Sequence, residues 1–120
     1  MVERPLRIVV VDNDPDALAL AVMDLTFEGH EIVGEGTSGE EALRLVEAEQ
    51  PDVLVVDHRM PPGRWGAEVA ELVARSSPSI RVIVYSNYRS VELSRRVRAT
   101  GATFLAKGNI RALRRAVRHG

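Results

Sequence analysis

Hydrophobic positions along the chain fall into two alternating patterns. Residues 6–11 (LRIVVV, interrupted only by Arg7) and Val53–Val56 are apolar throughout, as expected of strands buried on both faces. Between them the spacing lengthens. Leu18, Val22 and Leu25 recur at i, i+4 and i+7, which predicts a helix over Pro15–Phe27 with Gly29 as its stop. A short second strand follows at 31–34. Ser38 with Glu41 three residues on reads as a capping box, opening a helix with an apolar face of Ala42, Leu43, Leu45 and Val46 that Pro51 ends. MPPGRWG at 60–66 is a loop by its Pro and Gly content. A third helix is predicted at 67–75 with Val69, Leu72 and Val73 inward, a fourth strand at 81–85 and a fourth helix at 91–99. A fifth strand is predicted over Thr103–Ala106, and Ile110, Leu113 and Val117 mark a final basic helix.

Strands alternating with helices every 20–25 residues imply right-handed βαβ units around a parallel sheet covered on both sides. Five units in 120 residues form one domain, 1–120, of α/β class: a flavodoxin-like, doubly wound (βα)5 fold with a five-stranded parallel sheet in the order 2-1-3-4-5. In that order the direction of winding reverses between strands 1 and 3. Ligands of open α/β sheets bind at such a point, beyond the carboxyl ends of the strands. Chemistry is therefore expected just after strands 1 and 3, at Asp12-Asn13-Asp14 and Asp57.

Composition narrows the classes. With 45 % hydrophobic and 28 % charged residues the chain reads as a globular domain, and the absence of cysteine excludes disulfides, thiolate metal sites and cysteine nucleophiles. No apolar run approaches the roughly 20 residues of a membrane span, and the first apolar run is too short for a signal peptide, so a cytoplasmic protein without membrane contact is expected. The net charge of −1 conceals segregation: residues 1–60 carry 14 acids against 4 bases, residues 61–120 carry 3 acids against 12 bases. Seven arginines, Arg95, Arg96, Arg98, Arg111, Arg114, Arg115 and Arg118, fall on the last two helices. The first helix, beside the last one in this fold, carries Asp16, Asp24 and Glu28. Acidic and basic faces are expected to pair, within one molecule or across a dimer. Direct DNA binding is disfavoured by the 4 % aromatic content and the lack of a helix-turn-helix.

Four strand ends bring polar groups to one rim: Asp12, Asn13 and Asp14 after strand 1, Asp57 after strand 3, Ser86 after strand 4 and Lys107 after strand 5. Crowded carboxylates repel unless a cation intervenes. Oxygen ligands suit Mg²⁺, which binds through one or two carboxylates together with phosphate oxygens and water. A lysine and a hydroxyl nearby complete a pocket for a phosphoryl group, with one of the carboxylates as nucleophile. Asp14, directly before Pro15, reads as a helix cap.

The segments VVVDND, VLVVDHRMP, VIVYSN and GATFLAKG, in this order and spacing, resemble the signature blocks of bacterial two-component response-regulator receiver (CheY-like) domains over essentially the whole chain. The resemblance implies that Asp57 accepts a phosphoryl group from a sensor histidine kinase and that Ser86 and Lys107 contact it. It further implies that Ser86 and Phe104 form a switch pair, the hydroxyl moving inward and freeing space for the ring. Mg²⁺ would be held by Asp12, the position of Asn13, Asp57 and the backbone carbonyl of Arg59. The implied role is signalling rather than enzymatic: switching of dimerisation, or of an output or partner domain. Such families dimerise through helices 1 and 5 or through the helix 4–strand 5–helix 5 face.

Three departures stand out. Asn13 occupies the place of a second acid, which implies weaker Mg²⁺ binding and slower phosphorylation; the loop after Asp57 is one residue longer, so that Gly66 comes one position late; and Gly108 replaces a common proline. The weakened metal site opens an alternative, a receiver-like interaction module that works without phosphorylation. A phosphohydrolase of the haloacid-dehalogenase type, with Asp12 as nucleophile, leaves the DHRMP block unexplained. Trp65 is expected either to fold over the third helix or to contact a partner; His58 is read as a rim residue, and His30 and His119 as surface residues. The chain ends at Gly120, just after the last helix, which fits a stand-alone receiver or the first half of a regulator whose helix-turn-helix output domain, outside these residues, would contact DNA.

Overall fold

The order of the strands in space is β2-β1-β3-β4-β5, all parallel, as the alternating pattern requires. In the computed structural model the strands are β1 (Arg7–Val11), β2 (Glu31–Gly36), β3 (Val53–Val56), β4 (Arg81–Ser86) and β5 (Thr103–Ala106). The helices are α1 (Pro15–Phe27), α2 (Gly39–Glu49), α3 (Gly66–Ser76), α4 (Val91–Arg98) and α5 (Ile110–His119). The structure describes residues 4–61, 63–88 and 90–119; Pro62, in the lengthened loop, and the chain end at Gly120 lie outside them.

Each central strand carries one side chain to each face in turn. Val9, Val11, Leu54, Val56 and Val84 face α2, α3 and α4, where Val46, Val69, Val73, Leu93 and Val97 complete one apolar layer. Ile8, Val10, Val53, Val55 and Ile83 face α1 and α5, where Leu25, Leu113 and Val117 complete the other. No helix among the described residues is long and apolar enough to cross a membrane.

Local chemistry accounts for most boundaries. Asp14 caps α1, its Oδ1 accepting the Asp16 N–H at 3.0 Å, and Gly29 follows the helix with φ 101°. Ser38 caps α2 through the Glu41 N–H at 3.1 Å. The reciprocal half of the expected box is displaced by one residue, since the Glu41 carboxylate accepts from Thr37 N and Oγ1 rather than from Ser38 N. Strand β2 runs two residues past the predicted stop at Gly34. There glycine does not break the strand: the Leu45 side chain sits against Gly34 and Gly36, so the lack of a side chain lets α2 approach the sheet.

One pairing of the expected acidic and basic faces forms within the molecule. Arg114 of α5 pairs with Asp24 and Glu28 of α1. Arg96 of α4 grips Glu71 of α3 with two bonds of 2.8 Å, and Arg7 reaches Glu49. One histidine expectation fails, that of His30 at the surface. His30 is 5 % exposed, its Nδ1 accepting the Leu6 N–H at 3.1 Å, because the turn out of α1 folds it under the first strand. His58 is 6 % exposed, held inside by two aromatic neighbours described below.

Candidate functional site

Strand register brings the predicted residues together. Val11 pairs with Val56, so the next residues, Asp12 and Asp57, emerge side by side at the carboxyl edge of the sheet. Ser86 pairs with Ala106, and the following residue, Lys107, donates its N–H to the Ser86 carbonyl at 3.0 Å. Asp12, Asp57 and Ser86 are all buried. Lys107 Nζ lies 2.7 Å from Asp12 Oδ2 and 3.4 Å from Asp57 Oδ2, bridging both carboxylates. Lys107 is the only lysine among 16 basic residues, a signal in the sequence that the reading by motif passed over. Where charge alone is needed the chain uses arginine; a compact ammonium on a slim stem stands where two carboxylates must share a cation.

Backbone amides fix the remaining carboxylate oxygens. Asp12 Oδ1 accepts the Asp14 N–H and Asp57 Oδ1 accepts the His58 N–H, each at 2.8 Å. The Asp57 carboxyl is pushed up to about 6, first by burial and then by the charge of Asp12, against the pull of Lys107 and the His58 amide. An extra cation here would relieve that crowding. The oxygen donors fit Mg²⁺: two adjacent buried carboxylates, with an amide at Asn13 on the rim of the same cavity. Among the described residues no group of three or more acids or histidines could hold a metal, in keeping with an amide at position 13.

The cavity over Asp57 measures about 220 Å³ and is lined by Asn13, Asp14, Asp57, Arg59, Ser86, Asn87, Tyr88 and Lys107. All the expected contact residues except Asp12 border it, and Asp12 reaches it through Lys107. Ser86 Oγ accepts the Tyr88 N–H at 3.0 Å, which leaves its own hydrogen free to donate. Phe104 lies one strand over on the same face, with its ring in the α2–α3–α4 layer, and borders a groove formed with Ser90, Ser94, Arg95 and Arg98. Ser86 and Phe104 are both buried, at 1 % and 8 % exposure.

The long loop is tied to the backbone at Asp57 and His58. Gly66 donates to the His58 carbonyl at 2.8 Å, and a Cβ on Gly66 would collide with the Asp57 carbonyl. The Trp65 side chain borders a cavity shared with His58, Arg59 and Glu68 of α3. It turns towards the site, with His58 edge-on to its ring at 5.3 Å and stacked on Tyr88 at 6.0 Å. Burial, then Arg96 and Arg59, hold the His58 imidazole below its ordinary pKa. Gly108 has φ 92° and donates its N–H to the Tyr85 hydroxyl at 3.1 Å, neither of which proline allows.

Residues 8–118 match the response regulator receiver domain family. The chain is 32 % identical over 102 residues to the response regulator GacA of Pseudomonas aeruginosa, covering 84 % of this chain and 47 % of GacA. It is 34 % identical over 102 residues to the transcriptional regulatory protein PdtaR of Mycobacterium tuberculosis, covering 82 % of this chain and 47 % of PdtaR. The chain thus spans about half the length of these curated relatives. The signal receiver domain of NarL from Mycobacterium tuberculosis superposes with a TM-score of 0.87 at 31 % identity, over 98 % of this chain and 99 % of that one.

Proposed function

The chain belongs to the response-regulator receiver family, and from that premise we propose that it accepts a phosphoryl group on Asp57 from a sensor histidine kinase and relays the event by dimerising or by acting on an output or partner domain. One observation carries this reading: Lys107 Nζ reaches both Asp12 and Asp57 at a strand-end cavity that Ser86 also borders. In the transfer a carboxylate oxygen of Asp57 forms the new O–P bond as the P–N bond of the donor phosphohistidine breaks, and the departing imidazole nitrogen keeps the electron pair. Lys107 then balances charge on the phosphoryl oxygens while the Ser86 hydroxyl donates to one of them. Asp12, Asn13, Asp57 and the Arg59 carbonyl would hold Mg²⁺, the ion receiver domains generally use, which when bound supplies further positive charge to the equatorial oxygens.

Ser86 and Phe104 relay the change. Once the Ser86 hydroxyl turns to the phosphoryl group, its tie to the Tyr88 amide loosens, and the groove bordered by Phe104 repacks. This is a shift between two arrangements, each favoured by contacts the other lacks. For self-association the helix 1–helix 5 face has the better support, because Leu20, Met23 and Phe27 of α1 are 61 %, 63 % and 80 % exposed there.

Intact-mass measurement after incubation with acetyl phosphate and Mg²⁺ tests the reading. A gain of one phosphoryl group that Asp57→Asn abolishes is the expected result. No gain under saturating donor would leave only an interaction module independent of phosphorylation.

A further inference from the structure

Two cavities meet beside Asp57, and the side chains of Arg59 and Tyr88 border both. The first is the 220 Å³ acceptor cavity; the second, about 530 Å³, opens along His58, Trp65 and Glu68. Arg59 Cζ lies 5.6 Å from the centre of the Trp65 ring and 5.7 Å from that of Tyr88. The two rings come from different loops, and both are fixed from the site itself. Trp65 is placed by the Gly66 N–H bond to the His58 carbonyl, and Tyr88 by its own N–H bond to Ser86 Oγ. His58 packs against both rings and supports them. The Arg59 side chain is exposed, and among the described residues the two aromatic contacts are what hold it where it lies.

We propose that the Arg59 guanidinium is a second cation for a phosphoryl group on Asp57, beside Lys107, and that the Trp65–Tyr88 pair is a resting place that competes for it. The inference rests on the phosphoacceptor reading. A phosphoryl group brings up to about two negative charges into a cavity where Lys107 already serves two carboxylates and Asn13 is neutral. A planar guanidinium fork matches phosphoryl oxygens with two parallel, charge-assisted bonds. A cation over an exposed ring is held more weakly than that, so the phosphoryl group wins the competition. Departure of Arg59 from the rings uncovers the second cavity, and loading of Asp57 becomes visible on the surface around Trp65.

Beryllofluoride with Mg²⁺ is the probe, its affinity followed by isothermal titration and its effect on the loop by the fluorescence of Trp65, the only tryptophan. Arg59→Ala leaves the backbone carbonyl in place and should weaken binding about tenfold, with loss of the fluorescence change. Tyr88→Leu removes one ring but keeps the N–H that Ser86 holds, and should tighten binding about two- to fivefold. A cluster that merely braces the two loops would give weaker binding in both variants or a change in neither, and either result overturns the proposal. Equal affinity of wild type and Arg59→Ala would remove this role for Arg59 while leaving Asp57 as acceptor. A folded wild type that takes up no beryllofluoride would remove both.

Discussion

His30 and Asn13 each turn on a single functional group. Neutral His30 accepts the Leu6 N–H at Nδ1 and so carries its proton on Nε2, which is buried without a partner among the described residues. Burial lowers its pKa below the ordinary 6.5, Arg118 adding to the shift and Glu28 opposing it. A base with a lowered folded pKa stays unprotonated in the fold while the unfolded chain takes up a proton. The stability it leaves intact above pH 6.5 is therefore lost as the pH falls below that value. His30→Asn keeps an acceptor for Leu6 and removes the titration, so its Tm should fall less than that of wild type between about pH 7.5 and 5.5 in thermal melts. His58 shifts in the same direction in both proteins and cancels from the comparison. At position 13 the missing charge should limit metal affinity. Asn13→Asp is expected to bind Mg²⁺ about tenfold more tightly, read by titration of Trp65 fluorescence.

At the scale of elements, glycines set how closely helices and loops approach the sheet. Gly66 begins α3 with its amide bonded to the His58 carbonyl and no room for a Cβ against the backbone of Asp57 and His58. Gly66→Ala should lower stability by about 1–3 kcal/mol in urea unfolding and reduce phosphoryl uptake, because the backbone that moves is that of Asp57, the proposed acceptor. Ser38→Ala, which removes the α2 cap, should cost about 1 kcal/mol and leave uptake intact. In the sequence Gly34 reads as the end of the second strand and Gly66 as a loop glycine, since composition says only that backbone freedom is available. That α2 and the long loop use the missing side chain as space depends on where those segments lie in three dimensions.

For the molecule as a whole, α1 and α5 are joined by Arg114 with Asp24 and Glu28, and beside this link Leu20, Met23 and Phe27 border an apolar cavity of about 510 Å³. Among the described residues, Arg114 alone of the seven arginines of α4 and α5 pairs with acids of the first half, so this link accounts for part of the segregation. The apolar stripe is what remains for a second copy. Met23→Glu with Phe27→Glu should abolish dimerisation of the beryllofluoride-loaded protein in sedimentation, while each change alters monomer stability by no more than about 0.5 kcal/mol. A double variant that still dimerises would move the interface to the α4–β5–α5 face.

What the sequence determined by itself is the fold and the strand-end rim at which Asp12 and Asp57 meet. Burial on both faces forces apolar runs at β1 and β3, strand twist makes the crossovers right-handed, and together these leave few topologies in which Asp12 and Asp57 are not neighbours. Tertiary structure alone decided which side chains meet without any local pattern: His30 under β1, His58 between Trp65 and Tyr88, and Arg59 over both rings. Periodicity encodes only which face of its own element a residue takes. Contacts between loops depend on distances that the whole packed sheet sets.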